Sequence, residues 1–192
     1  MISFRRLNVY LEGIFDLREV DCVAYLSPFH QVIVSDGASG PLTQAALSSL
    51  SKFALYGFLS PHYPRVQEGV QLLTECITNC IFEGTDWESD EVIFMKLLEL
   101  SALTLRCDAS CLLSVGAAWD VYSTCLNIHA QPRASKILKS EAETTLRDLT
   151  LTTFGRAATL APDERAPIAM EGFGSEHNVV KPHDVPALDP VG

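Results

Sequence analysis

TDWESDEVIFMKLL, residues 85–98, is the stretch of sequence that decides the fold of this chain. Thr85 and Glu88 have the spacing of a capping box, in which two side chains satisfy backbone N–H groups at the start of a helix. From Val92 onward the residues are apolar around most of the circumference of the predicted helix, which is typical of a helix covered on more than one side. We therefore predict a central helix over residues 86–106.

The same helical spacing of apolar residues recurs before and after this helix. Two such series are Val66, Val70, Leu73, Ile77 and Cys80, and Leu112, Val115, Trp119, Tyr122 and Leu126. Prolines in Ser27-Pro28, Gly40-Pro41 and Ser60-Pro61 are placed as they are near helix starts, where the missing N–H costs nothing. The sequence predicts about seven helices, at 3–13, 20–35, 41–58, 64–82, 86–106, 110–129 and 134–155.

Consecutive helices with short connections and no period-two strand indicate an all-α fold. We predict a right-handed α-superhelix of the armadillo or HEAT type, with a compact irregular bundle as the competing architecture. After Phe154 the aliphatic pattern ends, and prolines recur through the remaining residues. The predicted organisation is a helical domain over residues 1–157 and a disordered tail or linker over residues 158–192.

Composition and charge exclude several classes of function. Of the 192 residues, 47% are hydrophobic, which is enough to bury a substantial core. The formal net charge of −10 repels phosphate backbones and argues against nucleic acid as a partner. No apolar run approaches the roughly 18–20 residues needed to span a bilayer, so we expect any membrane contact to be peripheral. Cysteines set in apolar helical patterns, with no secretory signal, favour a reducing cytosol.

Motifs that would carry a reaction are absent from the sequence. There is no Walker loop, no His-Glu-x-x-His, no Gly-x-Ser-x-Gly and no Cys-x-x-Cys. We therefore predict no catalytic residue and no cofactor. Cys76/Cys80 and Cys107/Cys111, together with His129, could be drawn as a metal site, but structural zinc normally uses tighter spacings. Buried packing is the favoured interpretation of these thiols, and no metal is predicted.

An acidic cluster marks the start of the central helix: Asp86, Glu88, Asp90 and Glu91. Carboxylates in a first helical turn are each stabilised by about 0.3–1 kcal/mol through the helix dipole, so the cluster needs no ion. Glu91 is less well explained by capping and is one candidate interface residue. Lys52 is the other, because its charge must emerge at the edge of an otherwise apolar helix, where the rims of interfaces lie.

Four segments together resemble a known domain. SGPLTQAALSSLSKF at residues 39–53 and CIFEGTDWESDEVIFMKLL at residues 80–98 resemble the two signature helix starts of the DCB (dimerisation and cyclophilin-binding) domain of large Arf guanine-nucleotide exchange factors. LSPF at residues 26–29 and AETTLRDL at residues 142–149 resemble the preceding and closing helices of that domain. The likeness covers about residues 15–155 and is nearest to the Golgi brefeldin-A-resistance class.

The resemblance implies a non-catalytic regulatory and dimerisation module. In this family nucleotide exchange belongs to a separate downstream catalytic domain, so no exchange activity is expected of these 192 residues alone. The implied partners are a second copy of the chain, the HUS region (homology upstream of the catalytic domain) of the same exchange factor, and regulators of the Arf family. The implied location is cytoplasmic, at the peripheral Golgi membrane, in vesicle-mediated transport, and we expect the chain to be a fragment or truncated gene model.

Lys52 and Glu91 occupy charged positions of the two signature helices of the family. We hypothesise that they contribute to self-association or to docking on the rest of the exchange factor; two solvated charges are the alternative. Two other classes of function stay open at this point. One is a free-standing helical-repeat adaptor that binds peptides in its groove, and the other is a small thiol- or metal-dependent enzyme.

Overall fold

The structure is a computed structural model and describes residues 2–84 and 87–159. Its helices are α1 (Ile2–Glu12), α2 (Cys22–Ile33), α3 (Gly40–Leu55), α4 (Val66–Thr78), α5 (Trp87–Arg106), α6 (Val115–His129) and α7 (Lys136–Thr159). Two short 3-10 helices, Leu17–Glu19 and Asp108–Leu112, lie between them. All seven predicted helices are therefore confirmed, and the described residues contain no β-strand.

The helices form two rows in which each helix packs on the one two places along the chain. One row is α2, α4 and α6, and the other is α3, α5 and α7; α1 packs on α2. Helix α5 contacts α3 and α7 in its own row and α4 and α6 in the other, so its prediction as the central helix is confirmed. Alternation between two rows is the arrangement of an α-superhelix, as predicted from the sequence.

Local chemistry explains where several helices begin. The Asp21 carboxylate accepts hydrogen bonds from the backbone N–H groups of Val23 and Ala24, at 2.8 and 3.3 Å, at the start of α2. Ser114 Oγ accepts from Ala117 N at 3.1 Å at the start of α6. Such side chains satisfy N–H groups that have no partner within the helix.

Two of the prolines do not mark helix starts. Pro28 lies inside α2, and Pro61 lies in the turn before α4, which begins only at Val66. A proline inside a helix removes one backbone hydrogen bond. One turn of the helix next to this proline carries an additional hydrogen bond. Ser27 Oγ donates it to the carbonyl oxygen of Val23 at 2.6 Å.

The core lies between the rows and is built from aliphatic residues on the facing sides of the helices. Its fully buried large side chains include Leu47, Leu50, Leu73, Ile77, Leu98, Leu100 and Leu138. Two expectations need correction. Val92 of α5 is 40% exposed, and the apolar series predicted over residues 112–126 is not the core side of α6, because Val121, Cys125 and Ile128 are buried there instead.

Two expectations concern residues outside the described ranges. Thr85 and Asp86, which belong to the predicted capping box and the acidic cluster, are not among the described residues. Helix α7 ends at Thr159, and residues 160–192 of the predicted tail also lie outside the description. The predicted domain boundary at residues 157/158 and the disorder of the tail stay predictions.

Candidate functional site

The two signature segments meet in the structure. Ser39 forms a single parallel β-bridge with Glu83, and Glu83 N donates a hydrogen bond to the Ala38 carbonyl at 3.3 Å. An ideal Cβ placed on Gly40 would lie 3.4 Å from Ile93 Cδ1, at van der Waals contact, so the start of α3 lies directly beside α5. We call this contact between the turn before α3, the loop before α5 and the first turns of both helices the signature junction.

Helices α3 and α5 run in the same direction from this junction. Gly40 at the start of α3 lies beside Ile93 near the start of α5. At the other end, the segment after α3 meets the segment after α5, where Ala109 N donates to the Leu59 carbonyl at 3.3 Å. Because both ends match, the two helices pack parallel.

Lys52 lies on the outer side of α3, near its C-terminal end. Its side chain is exposed, and Leu55 and Tyr56, which follow it by three and four residues on the same face, are 63% and 72% exposed. A basic group next to two exposed apolar side chains is a composition found at the edges of protein interfaces. The position therefore suits the predicted role, which stays a prediction.

Glu91 lies near the N-terminal end of α5 and is half-buried. Its Oε1 accepts a hydrogen bond from the backbone N–H of Ser135 at 2.5 Å, and Ser135 Oγ in turn accepts from Leu138 N at 3.1 Å. Glu91 thus supports the start of α7 in addition to any role at an interface. Sequence spacing could not reveal this contact, because the two residues are 44 positions apart.

The structure does not bring Lys52 and Glu91 together within one chain. Lys52 lies twelve residues after Gly40, which corresponds to roughly 18 Å along the axis of α3 at 1.5 Å per residue. Gly40 marks the level of Ile93, only two residues from Glu91, on the parallel helix α5. The two charges therefore lie towards opposite ends of the α3 and α5 pair, and a direct ion pair between them would require two molecules.

Five of the six cysteines are buried or half-buried, whereas Cys111 is exposed, so the predicted buried packing is wrong for that thiol. Cys76 and Cys125 are buried, and burial raises the pKa of both thiols. Burial also raises the pKa of the Cys80 thiol to about 12, so it is protonated at neutral pH. His129 was the imidazole considered together with these thiols as a metal ligand. Its Nε2 instead lies 3.1 Å from Oε1 of Glu143 on α7. Among the described residues, no three His, Cys, Asp or Glu side chains converge as a metal site would require.

A shallow cleft of ≈ 230 Å³ lies between α1, α2 and the start of α3. It is lined by Phe4, Pro28, Gln31, Val32, Ser35, Gly37, Ala38 and Leu42. None of these side chains ionises, and small-molecule sites usually enclose about 300–1,000 Å³. The cleft lacks both the size and the acid–base groups that an active site would use.

A second surface, on α6, was not predicted as a site. Val115 and Trp119 are 89% and 56% exposed, Leu126 is 40% exposed, and Trp119 stacks on Tyr122 with ring centroids 5.9 Å apart. We call these four residues the α6 stripe. The sequence contained its signal, the spacing 115, 119, 122 and 126, but not the information that Val115, Trp119 and Leu126 stay exposed while Tyr122 is half-buried against the core.

Comparison with known proteins identifies the family. The chain is 31% identical over 166 residues, 86% of its length, to the "Golgi-specific brefeldin A-resistance guanine nucleotide exchange factor 1 homolog" of Caenorhabditis elegans. It is 32% identical over 126 residues, 65% of its length, to the "ARF guanine-nucleotide exchange factor GNOM" of Arabidopsis thaliana. It is 26% identical over 160 residues, 83% of its length, to the "ARF guanine-nucleotide exchange factor 2" of Saccharomyces cerevisiae. The chain belongs to the family of large Arf guanine-nucleotide exchange factors.

The matched region is a small part of these exchange factors. It covers 8%, 9% and 11% of the three relatives, so the chain spans about a tenth of their length. No protein-family model matches the sequence. The resemblance to the DCB domain, derived above from the signature segments, is consistent with these exchange-factor relatives and with the all-helical fold.

The Golgi assignment has one direct support, the name of the Caenorhabditis elegans exchange factor. Within the described residues, none of the helices combines the length and the apolar character that crossing a bilayer demands.

Proposed function

We propose that this chain is a non-catalytic, N-terminal regulatory and dimerisation module of a large Arf guanine-nucleotide exchange factor that acts in Golgi vesicle-mediated transport. One observation carries the proposal: the region that matches the exchange factors is about a tenth of each of them, and it consists of two rows of packed helices. Stacked helical rows of this kind offer extended surfaces for protein partners.

Exchange activity is the first property to test. The rate at which purified Arf releases a fluorescent GDP analogue would be measured with and without the 192-residue chain. The catalytic domain of a relative would serve as the positive control. We expect the chain to leave the rate unchanged, because the proposal assigns exchange to another part of the protein. Acceleration by the chain alone would overturn the non-catalytic part of the proposal.

Self-association is the second property, and Lys52 and Glu91 are its candidate residues. Since the two charges lie towards opposite ends of α3 and α5, an interface can use them in two separate places or as a pair between two molecules. Sedimentation of the wild type would be compared with the double variant Lys52→Ala/Glu91→Gln. Glutamine keeps an oxygen that accepts from Ser135 N, so the start of α7 is preserved while the charge is removed.

The matched control for that double variant is Lys136→Ala/Glu141→Ala, which removes one exposed charge of each sign from α7. A weaker dimer in Lys52→Ala/Glu91→Gln, but not in the control, would support the role of the two residues. The same association state in all three proteins would remove Lys52 and Glu91 from the interface.

Docking on the HUS region is the third property. The probe is the purified HUS segment of the Caenorhabditis elegans relative, and binding would be measured by calorimetry. We expect binding at a one-to-one ratio, since the proposal places both segments in one exchange factor.

Cellular location is the fourth property. A full-length protein fused to a fluorescent protein is expected to lie at the Golgi membrane as a peripheral protein, and a uniform cytosolic signal would contradict that location.

A further inference from the structure

Asp36 and Gly37 form the turn that connects α2 to α3. Ala38 N donates a hydrogen bond to the Ser35 carbonyl at 3.2 Å, which closes a β-turn with Asp36 and Gly37 at its two central positions. Ser35, Asp36 and Gly37 are all exposed. Asp36 is the only Asp or Asn in the sequence that a glycine follows. The pair is therefore unique in the chain and open to water.

Neither of the two groups that can react within this pair is held by another part of the fold. Among residues 2–84 and 87–159, the Asp36 carboxylate and the Gly37 N–H have no hydrogen-bond partner. Glycine has no side chain to block an approach to its nitrogen, and no described atom lies within 4 Å of the position that a Gly37 Cβ would take. The backbone nitrogen and the neighbouring carboxyl carbon can therefore approach each other.

We infer that Asp36 is a site of spontaneous covalent modification, at which the Asp36–Gly37 peptide bond isomerises to an isoaspartyl bond. Gly37 N attacks Asp36 Cγ, the amide proton and a carboxyl hydroxyl leave together as water, and a succinimide ring forms. Water then adds to the main-chain carbonyl carbon of Asp36 and breaks its bond to Gly37 N. The chain now continues through Cβ and Cγ, and the former main-chain carbonyl is a free carboxylate. Water is the only other reactant.

The isomerised turn is one backbone atom longer than the original. The turn lies between two hydrogen bonds to the segment after α4: Ile81 N donates to the Ile33 carbonyl at 3.0 Å, and Glu83 N donates to the Ala38 carbonyl at 3.3 Å. These bonds fix both ends of residues 34–37, so an additional atom between them displaces one end. Ile33 is held in α2, and we therefore expect the displacement at the Glu83 bond, which belongs to the signature junction.

The first measurement is the accumulation of isoaspartate in the purified chain during storage at neutral pH and body temperature. An isoaspartyl methyltransferase with labelled S-adenosylmethionine reports the amount, because it esterifies the carboxylate that isomerisation releases. Electron-transfer fragmentation of the tryptic peptide 19–52 then assigns the residue. We expect isoaspartate at Asp36 and not at Asp21 of the same peptide, which Cys22 follows. An Asp36 that stays aspartate throughout storage would overturn the inference.

Two variants are the matched controls for this measurement. Gly37→Ala adds a methyl group beside the attacking nitrogen, and the turn accepts it because the space is open and the φ of Gly37 is not positive. Asp36→Glu keeps the charge but has to close a larger ring. We expect both variants to keep the circular dichroism of the wild type and to lose the isoaspartate signal. Equal accumulation in all three proteins would place the reaction elsewhere in the chain.

The second measurement tests the consequence for the signature junction. The isomerised chain would be separated from the unmodified chain by hydrophobic-interaction chromatography, and amide hydrogen exchange would be followed by NMR in both. We expect faster exchange of the Glu83 N–H in the isomerised chain, with the Ile81 N–H as the internal control that stays protected. Equal protection of the Glu83 N–H in the two forms would overturn the predicted displacement.

The inference is independent of the proposed function. Isomerisation at Asp36 is measured on the isolated chain without Arf, the HUS segment or a second copy. Its outcome therefore stands whether or not the chain proves to be a regulatory module.

Discussion

Glu91 accepts a hydrogen bond from the backbone N–H of Ser135 and so joins the second turn of α5 to the start of α7. The bond connects consecutive helices of one row, at the end of α5 where the signature junction also lies. Glu91 is thus both a candidate for an interface and a structural support, and its substitutions have to separate these roles.

Glu91→Ala should destabilise the protein, because it leaves the Ser135 N–H without its carboxylate partner. A hydrogen bond to a charged group contributes about 1.5–3 kcal/mol, and partial solvent access places the expected loss at the lower end of that range. Glu91→Gln keeps an acceptor oxygen and should lose less. Urea unfolding followed by circular dichroism measures both, and equal losses in the two variants would contradict this role of the hydrogen bond.

Gly69→Ala should destabilise the contact between α2 and α4. A Cβ at this position would lie 2.8 Å from Cys22 Cβ and 3.2 Å from Leu26 Cδ1, so the two helices would have to move apart. Overpacking of this kind typically costs about 1–3 kcal/mol. Gly155→Ala is the matched control, since nothing lies within 4 Å of its Cβ position and alanine favours a helix by about 0.5–1 kcal/mol. Thermal unfolding should move in opposite directions for the two variants.

Thr43→Val should stabilise the protein by about 1 kcal/mol, because burial of a hydroxyl without a partner is unfavourable. Thr43 is fully buried in α3, and its Oγ1 has no hydrogen-bond partner among the described residues. Thr104→Val is the control of the same shape: Thr104 Oγ1 donates to the Leu100 carbonyl at 2.8 Å, so its loss should lower the free energy of unfolding. Equal effects of the two substitutions would show that the Thr43 hydroxyl is satisfied in solution.

Alkaline pH should reduce the free energy of unfolding through the buried thiols. Burial raises the pKa of Cys22, Cys76, Cys107 and Cys125 above the ordinary value and that of Cys80 to about 12. The folded state then keeps protons that the unfolded state releases above roughly pH 9, so stability is full below that pH and falls as pH rises. Urea titrations at several pH values should give a shallower fall for Cys80→Ala than for the wild type; identical slopes would contradict the assignment to Cys80.

Helical periodicity predicted the number, order and approximate bounds of the helices, and it identified α5 as central. It failed where two faces of one helix are both apolar. In α6 the series that includes Trp119 is as regular as the buried series Val121, Cys125 and Ile128, and spacing alone does not say which series other helices cover. Pro28 shows a second limit of reading the sequence alone, because it is buried inside α2 although a proline is favoured near a helix start.

The candidate site was predicted only in part. The resemblance located Lys52 and Glu91 on the two signature helices, but the contact between Glu91 and Ser135 joins residues 44 positions apart and depends on how α5 and α7 pack. The meeting of Ser39 with Glu83 is likewise a consequence of the row arrangement. Such contacts follow from tertiary structure, whereas periodicity reports only on one helix at a time.

The row arrangement has a consequence for how the protein folds. Each helix packs mainly on helices one or two places away along the chain, so the fold can grow by the addition of neighbouring helices. Structure of this kind can nucleate at one helix pair and spread outward. Removal of α1, which packs mainly on α2, should therefore leave the remaining rows able to assemble, whereas removal of α5 should prevent either row from closing on the other.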